Sequence, residues 1–241
     1  MRNSPDEMST PQEPNQDLFV AAWQVYRKML DNNYLFHREA YGCLRTVLTD
    51  EVDAPFGFLD VACGDAVMSM SALTGTGVGR YDGMDLSAQA LAIAAENVRQ
   101  LTCESALHHC DFSLALPEWK QPADVVWIGL SLHHFMAPAK LEIMRSIREI
   151  AGDSGRLLIY EDASPDGEDR DGWLARWDEQ RPDWRAYSDA EWDDVNGHVH
   201  SSDFPETDSV WRRLGHEAGF SKVSELFESP TRLFRLYSFQ A

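Results

Sequence analysis

Basic residues are scarce in this chain. Its 241 residues include 21 Lys and Arg against 40 Asp and Glu, which gives a formal charge of −19 at pH 7. Nucleic-acid backbones and anionic lipid surfaces both bind proteins through a positively charged surface. We therefore expect neither nucleic acid nor a membrane as a partner of this protein.

Long apolar runs and paired metal-binding cysteines are also missing. No stretch approaches the ~20 apolar residues that a transmembrane helix needs. The four cysteines do not have the spacing of a zinc site, and the chain does not start like a signal peptide. The cysteines are Cys43, Cys63, Cys103 and Cys110. These absences predict a cytoplasmic protein with free thiols.

The first 52 residues divide into two parts. Residues 1–16 are polar, contain three prolines and are predicted to be disordered. Residues 17–52 have aromatic and aliphatic side chains at helical spacing, which predicts one or two helices.

Short apolar strands and helices alternate in the following segment. Strands are predicted at 56–62, 78–85, 106–110, 123–128 and 155–160, with helical segments between them. This alternation predicts an α/β fold with a doubly wound parallel sheet.

The last third of the chain departs from this alternation. Residues 162–206 are acidic, contain four Trp residues and are predicted to form a cap of short helices. Two strands at 221–227 and 231–240 follow a helix at 207–219. Because only a short turn separates these two strands, we expect them to pair antiparallel.

Small residues follow the first predicted strand. Residues 60–65 read Asp-Val-Ala-Cys-Gly-Asp, and a helix is predicted to begin at once. Small side chains let a ligand approach the backbone closely. A phosphate-binding turn has the same feature, so the turn alone leaves the ligand open.

Carboxylates follow the next two strands. Asp85 is placed to accept hydrogen bonds from the two ribose hydroxyls of a nucleoside. Asp111 can accept from an exocyclic amine, while Phe112 can pack on a purine face. Since the carboxyl ends of parallel strands meet at one sheet edge, these residues predict a nucleoside-binding site.

Residues 56–161 resemble the class I S-adenosylmethionine (SAM)-dependent methyltransferases of the small-molecule branch. Residues 60–65 are similar to the family's acidic-x-Gly-x-Gly-x-Gly motif, with Ala62 and Ala66 in place of glycines. Residues 124–135 resemble its fourth motif.

The resemblance implies a domain organisation. It implies a Rossmann-like seven-stranded sheet in the order 3-2-1-4-5-7-6 with strand 7 antiparallel. Residues 17–52 would form a helical lid, and residues 53–241 the SAM-binding domain with its cap.

The resemblance also implies a set of residues that contact SAM. Most follow the first four strands, and two lie in the lid, where Tyr34 or Arg38 would contact the SAM carboxylate. The set is Asp60, Ala62, Cys63, Gly64, Asp65, Asp85, Leu86, Asp111, Phe112, Gly129, Leu130, Tyr34 and Arg38.

Five residues are candidates for contact with the methyl acceptor. Methyl transfer from a sulfonium is an in-line displacement that needs alignment, exclusion of water and, for some acceptors, a base. His133 and His134 follow the fourth strand, next to the expected methionine moiety of SAM. We favour His134 as the base. His133 can either contribute to catalysis or simply hold the loop in place through hydrogen bonds. His37 and Tyr41 are placed in the lid to face the acceptor.

The fifth candidate, His198, belongs to a polar group in the insertion. His198 and His200 would lie on one side of an extended segment, with Asp203 close by. Such a group could bind a metal ion, bind an anionic substrate or orient a catalytic base. Because no further spaced ligand is obvious, no metal is predicted.

These features favour a methyltransferase that moves a methyl group from SAM to an O, N or S atom of a small molecule. The tetrapeptide of enzymes that methylate DNA-base amines is missing after the fourth strand, as is the double-glutamate loop of protein arginine methyltransferases. One alternative is a non-catalytic protein that binds SAM or a nucleoside. Another is a nicotinamide-dependent oxidoreductase, for which a third glycine in the turn and a purely parallel sheet would be expected. The sequence is compatible with a monomer or a homodimer.

Overall fold

The computed structural model describes residues 16–241, with side chains from residue 23 onward. The predicted disorder of residues 1–15 lies outside the described residues, whereas Gln16 already belongs to the first helix. The described helices are α1 Gln16–Asp31, α2 His37–Asp50, α3 Val67–Leu73, α4 Ala88–Asn97, α5 Phe112–Ala115, α6 Ala137–Ala151, α7 Arg170–Asp178, α8 Asp189–Ser202 and α9 Asp208–Glu217. The described strands are β1 Phe56–Val61, β2 Val78–Asp85, β3 Glu104–His109, β4 Val125–Gly129, β5 Arg156–Ser164, β6 Glu206–Thr207, β7 Lys222–Glu228 and β8 Phe234–Gln240.

The strands form one twisted sheet in the order β3-β2-β1-β4-β5-β8-β7. Strands β1 to β5 are mutually parallel, and β8 runs antiparallel to both β5 and β7. The two-residue strand β6 pairs only with the end of β5. Without β6 this is the predicted order 3-2-1-4-5-7-6 with one antiparallel strand, so the predicted fold class is confirmed.

Helices cover both faces of the sheet. Along β1, Phe58 packs in the apolar cluster of one face and Leu59 in that of the other, because successive side chains of a strand point to opposite sides. One face is covered by α6 and α9, whose Ile147 and Trp211 are buried. This double coverage explains why β1 is buried along its whole length.

The other face carries α2, α3 and the helices of residues 170–202. Four tryptophans of this last segment form a buried aromatic cluster, in which the rings of Trp177 and Trp192 stack with centroids 5.6 Å apart. The side chain of Lys28 on α1 forms an ion pair of 2.6 Å with Glu191 on α8. The N-terminal helices and the 170–202 segment therefore contact each other above the sheet.

The helix starts follow local capping chemistry. Ser87, the N-cap of α4, accepts a hydrogen bond from the backbone N–H of Ala90. Helix α8 begins with a capping box between Ser188 and Glu191. In the described part of the chain no helix has the length and apolar character needed to cross a bilayer.

Candidate active site

The turn between β1 and α3 adopts the backbone of a glycine-rich loop. Ala62, Gly64 and Ala66 all have positive φ, at 57°, 55° and 58°. A left-handed backbone costs a non-glycine residue about 1 kcal/mol, which accounts for the glycines of the family motif at such positions. The two alanines therefore keep the turn that the motif requires.

Asp85 holds this turn in place. Its Oδ2 accepts a hydrogen bond of 2.8 Å from the N–H of Gly64, and its Oδ1 accepts one of 2.7 Å from the N–H of Ser87. Each carboxylate oxygen can accept more than one hydrogen bond, so acceptor capacity is left for a ligand. Asp85 thus connects the β1 turn to the start of α4 at the same sheet edge.

The other predicted cofactor carboxylates differ in exposure. Asp60 is 1% exposed, and its Oδ2 accepts a 2.8 Å hydrogen bond from the hydroxyl of Tyr81. Burial raises the pKa of Asp60 to about 7. Asp65 is also buried and accepts from the N–H of Val67 at 3.0 Å. Both carboxyl groups therefore lie beneath the turn rather than on its surface.

The ends of β2 and β3 are open to solvent. Leu86 is 71% exposed. Asp111 is exposed and caps α5, where its Oδ1 accepts from the N–H of Ser113 at 2.9 Å. The ring of Phe112 lies 5.5 Å from that of Phe135. An exposed leucine, a carboxylate and an aromatic ring are thus available where the sequence places the adenosine.

A cavity of about 400 Å³ begins at the β1 turn and extends under the 170–202 helices. All five acceptor candidates line it, namely His37, Tyr41, His133, His134 and His198. Five of the predicted cofactor residues line it as well, namely Ala62, Cys63, Gly64, Gly129 and Leu130. The cavity therefore joins the turn to the histidines.

Two predicted lid contacts are replaced by structural contacts. The ring of Tyr34 stacks on Trp184 at 4.6 Å, and its hydroxyl accepts a hydrogen bond from the N–H of Ala186. The guanidinium of Arg38 donates to the carbonyl of Asp31 at 2.7 Å. Neither side chain lines the cavity. We therefore no longer expect Tyr34 or Arg38 to contact the SAM carboxylate.

The polar end of the cavity is a histidine–carboxylate cluster. It is formed by His133, His134, Glu161, Asp162, His198 and Asp203. The Nδ1 atom of His133 lies 2.8 Å from Oε2 of Glu161 and 4.0 Å from Oδ1 of Asp162. Around Oδ1 of Asp203 lie Nδ1 of His134 at 3.3 Å, Nε2 of His133 at 3.8 Å and Nε2 of His198 at 4.0 Å.

The buried members of this cluster have perturbed pKa values. Burial disfavours the imidazolium of His133, but the charges of Asp162, Glu161 and Asp203 outweigh it and raise the pKa of His133 to about 9. Burial alone would raise the pKa of Glu161, and the charge and hydrogen bond of His133 reverse this and lower it. Burial is the main cause that raises the pKa of Asp162. Perturbed groups of this kind concentrate at functional sites.

The predicted geometry of the insertion histidines is wrong. His198 and His200 lie on helix α8 instead of an extended segment, so they point in different directions. His200 pairs with Asp178 at 2.9 Å, away from the cluster. Of His198 and His200, only His198 lines the cavity.

Sequence reasoning missed Glu161 and Asp162 as site residues. They follow the apolar run 157–160, and β5 continues through them to Ser164. Both are buried, with Glu161 fully enclosed. An acidic pair directly after a buried apolar run is the signal that could have identified them.

Residues 58–155, from β1 to the turn before β5, match the family described as a methyltransferase domain. This matched segment includes the β1 turn and the loop after β4. The resemblance identified in the sequence is thereby confirmed.

Three known proteins with similar sequence or fold have low sequence identity to this chain. A demethylmenaquinone methyltransferase of Alkalihalophilus pseudofirmus is 23% identical over 157 residues, which are 65% of this chain and 65% of that protein. Magnesium protoporphyrin IX methyltransferase of Synechocystis, solved with bound S-adenosylhomocysteine (SAH), has a TM-score of 0.62 at 11% identity, covering 94% of this chain and 96% of that chain. CalO1, a methyltransferase of calicheamicin biosynthesis solved with SAH, has a TM-score of 0.55 at 16% identity, with 84% and 54% covered.

The methyltransferase fold also occurs in a protein with another reaction. A solved pericyclic reaction enzyme has a TM-score of 0.56 at 20% identity, covering 82% of this chain and 46% of that chain. At these identities the likeness establishes the fold, and a shared fold does not fix the reaction.

Proposed function

We propose that this protein transfers the methyl group of SAM to an O, N or S atom of a small molecule bound in the cavity. The observation that carries this proposal is the lining of that cavity. One end is the β1 turn and the end of β4, where the family resemblance places the methionine moiety of SAM. The other end is the histidine–carboxylate cluster. A methyl group held at the first end would face an acceptor held at the second.

The cavity has the size and character of a small-molecule site. Its volume of about 400 Å³ falls within the usual range of roughly 300–1,000 Å³. Apolar walls come from Leu35, Tyr160, Trp173, Trp177 and Phe234. Aromatic walls with a polar end orient a ligand so that its polar atom faces the cluster.

The adenosine of SAM would lie outside this cavity, along the ends of β2 and β3. There Asp85 would accept from the ribose, Asp111 from the adenine amine, and Leu86 and Phe112 would pack against the base. Asp60 and Asp65 would act from beneath, by holding the turn and placing negative charge near the sulfonium. The exposure of Leu86 supports this arrangement, because a bound purine would cover it.

The histidine–carboxylate cluster would activate the acceptor. The transferred methyl needs an attacking atom with a free electron pair, so a hydroxyl, thiol or ammonium acceptor must lose a proton. The half-exposed ring of His134 is the member best placed to meet the acceptor, and the enclosed His133 is held by Glu161. The helices over the cavity would exclude water.

The nicotinamide alternative loses support from the sheet. Strand β8 is antiparallel to β5, whereas a nicotinamide-dependent oxidoreductase is expected to have a purely parallel sheet. Binding of SAM without turnover is the remaining alternative, and it is separated by an activity experiment rather than by the fold.

The test combines binding with turnover. Calorimetry should detect SAM and SAH, but not NAD, as ligands of the protein. Transfer of label from methyl-labelled SAM should then appear with at least one pool of small phenols, carboxylates, amines or thiols. Binding of NAD without SAM would overturn the proposal, and SAM binding with no transfer to any pool would assign the protein to the non-catalytic class.

A further inference from the structure

We propose that the polar end of the cavity binds a divalent first-row transition-metal ion through His133, His134 and Asp203, with His198 as a further ligand. This inference rests on the proposed function, because the ion would hold an oxygen atom of the acceptor. It changes the expectation from the sequence, which predicted no metal.

The first support is the separation of the donor atoms. One ligand atom each from His133, His134 and Asp203 lies within 4.8 Å of the others, and no other such group occurs among residues 23–241, whose side chains the structure describes. The three imidazole nitrogens lie 3.3, 3.8 and 4.0 Å from Oδ1 of Asp203. Two ligands of one zinc-like ion are each about 2.1 Å from it and so at most about 4.2 Å apart. An ion can therefore sit among these atoms with small side-chain adjustments.

The second support is an unsatisfied oxygen. Asp203 is 5% exposed, and its Oδ1 accepts no well-formed hydrogen bond although three imidazoles surround it. A buried carboxylate oxygen without a partner is costly. A cation bound to it removes that cost.

The third support is the environment of His133. Its Nδ1 donates to Glu161, because an ionised carboxylate only accepts hydrogen bonds. The Nε2 atom on the other side of the ring lies 3.8 Å from Oδ1 of Asp203 and can bind an ion that displaces its proton. Metal-binding histidines almost always have their second nitrogen bound to a carboxylate, carbonyl or water in this way.

The ligand set defines the ion and the acceptor. Imidazole with carboxylate favours zinc or iron over magnesium, which prefers oxygen ligands. All four proposed ligands line the cavity, so free coordination positions would face the acceptor. We infer an acceptor that presents an oxygen, whose acidity the ion would increase. On transfer that oxygen would pass its proton to bulk solvent, beside the half-exposed His134, and would bond to the methyl carbon. The S–CH₃ bond breaks, and its electron pair stays on the sulfur of SAH.

The test measures metal binding directly. Chelator-treated protein is dialysed against Zn²⁺, and bound metal is counted per chain. A parallel sample receives Co²⁺, whose visible absorption reports protein ligands. We expect one ion per chain, and about tenfold or greater loss of affinity in His134→Gln and Asp203→Asn. His198→Gln should show a smaller loss. His200→Gln is the matched control, since His200 lies on the same helix and pairs with Asp178 outside the cluster; it should bind like the wild type.

A separate measurement tests whether the bound ion accepts an oxygen ligand from the cavity. Acetohydroxamate, a small bidentate oxygen ligand, should shift the visible spectrum of the Co²⁺ protein. Absence of stoichiometric Zn²⁺ or Co²⁺ binding, or equal binding in all variants, would overturn the metal site. An unchanged spectrum would overturn the oxygen acceptor. SAM calorimetry on the metal-free protein separates these failures from failure of the proposed function, because SAM binding does not require the ion.

Discussion

Nδ1 of His133 lies 2.8 Å from Oε2 of Glu161, although 28 positions separate the two residues in the chain. The other oxygen of Glu161 accepts hydrogen bonds from the N–H groups of Ser131 at 2.7 Å and Leu132 at 2.6 Å. One buried carboxylate of β5 therefore fixes both the backbone of the loop after β4 and the ring of His133. The position of His134, the next residue, depends on the same contact.

The first prediction concerns Glu161→Gln. This change removes the carboxylate that pairs with Nδ1 of His133 at 2.8 Å, and breaking a buried ion pair costs about 3–5 kcal/mol. Chemical denaturation should therefore show a loss of this size in the free energy of unfolding. Glu142→Gln, which removes an exposed pair with Arg145, is the control and should cost about 1 kcal/mol or less. Equal losses in both variants would mean that Glu161 does not hold the loop.

The second prediction concerns Asp85→Asn. The amide has one oxygen instead of two, so either the Gly64 or the Ser87 hydrogen bond is lost, together with the negative charge that we propose faces the ribose of SAM. We expect SAM affinity to fall by about 1–3 kcal/mol, measured by calorimetry.

Asp124→Asn is the matched control for Asp85. Oδ2 of Asp124 accepts a 2.7 Å hydrogen bond from the N–H of Gly57, at the opposite end of the sheet from the β1 turn. This variant should lose stability and keep its SAM affinity. Unchanged SAM binding in Asp85→Asn would refute the ribose role.

The sheet and its functional edge could be predicted because they depend on local signals. Alternating strands and helices determine a parallel sheet, and the small residues 62–66 after β1 indicate a turn open to ligand. The loop histidines His133 and His134 follow β4 directly, so their place at the cavity follows from the sheet order alone.

Contacts between distant segments could not be predicted. Asp203 reaches His133 across 70 positions, and no sequence period records such a pairing. Helix α8 is different, because its capping box at Ser188 and Glu191 is visible in the sequence as Ser-x-x-Glu. The extended interpretation of His198 and His200 overlooked that signal and relied on their alternation.

The third prediction tests the altered role of Tyr34. Tyr34→Phe removes the hydroxyl that accepts from the N–H of Ala186. Losing this hydrogen bond should lower the free energy of unfolding by about 1 kcal/mol. SAM affinity should change less than about twofold, as it should in Arg38→Ala, because neither side chain lines the cavity. A tenfold loss of SAM affinity in either variant would support the original prediction that this side chain contacts the SAM carboxylate.

The fourth prediction concerns the pH dependence of stability through His37. This side chain is 6% exposed, its Nδ1 has no hydrogen-bond partner, and burial lowers its pKa from 6.5 to about 4. Between these two values the unfolded chain binds a proton that the folded chain excludes. His37 therefore makes no difference to stability above about pH 7 and progressively destabilises the fold as the pH falls towards 4, by about 3 kcal/mol in total.

His37→Gln should remove this component. Many other groups titrate in the same range, so the informative quantity is the difference in unfolding free energy between wild type and variant, measured by denaturation at several pH values. Relative to the variant, the wild type should lose stability steadily as the pH falls from 7 to 4. A difference that does not vary with pH would mean that the His37 ring takes up its proton in the folded state, and that the cavity admits enough water to solvate it.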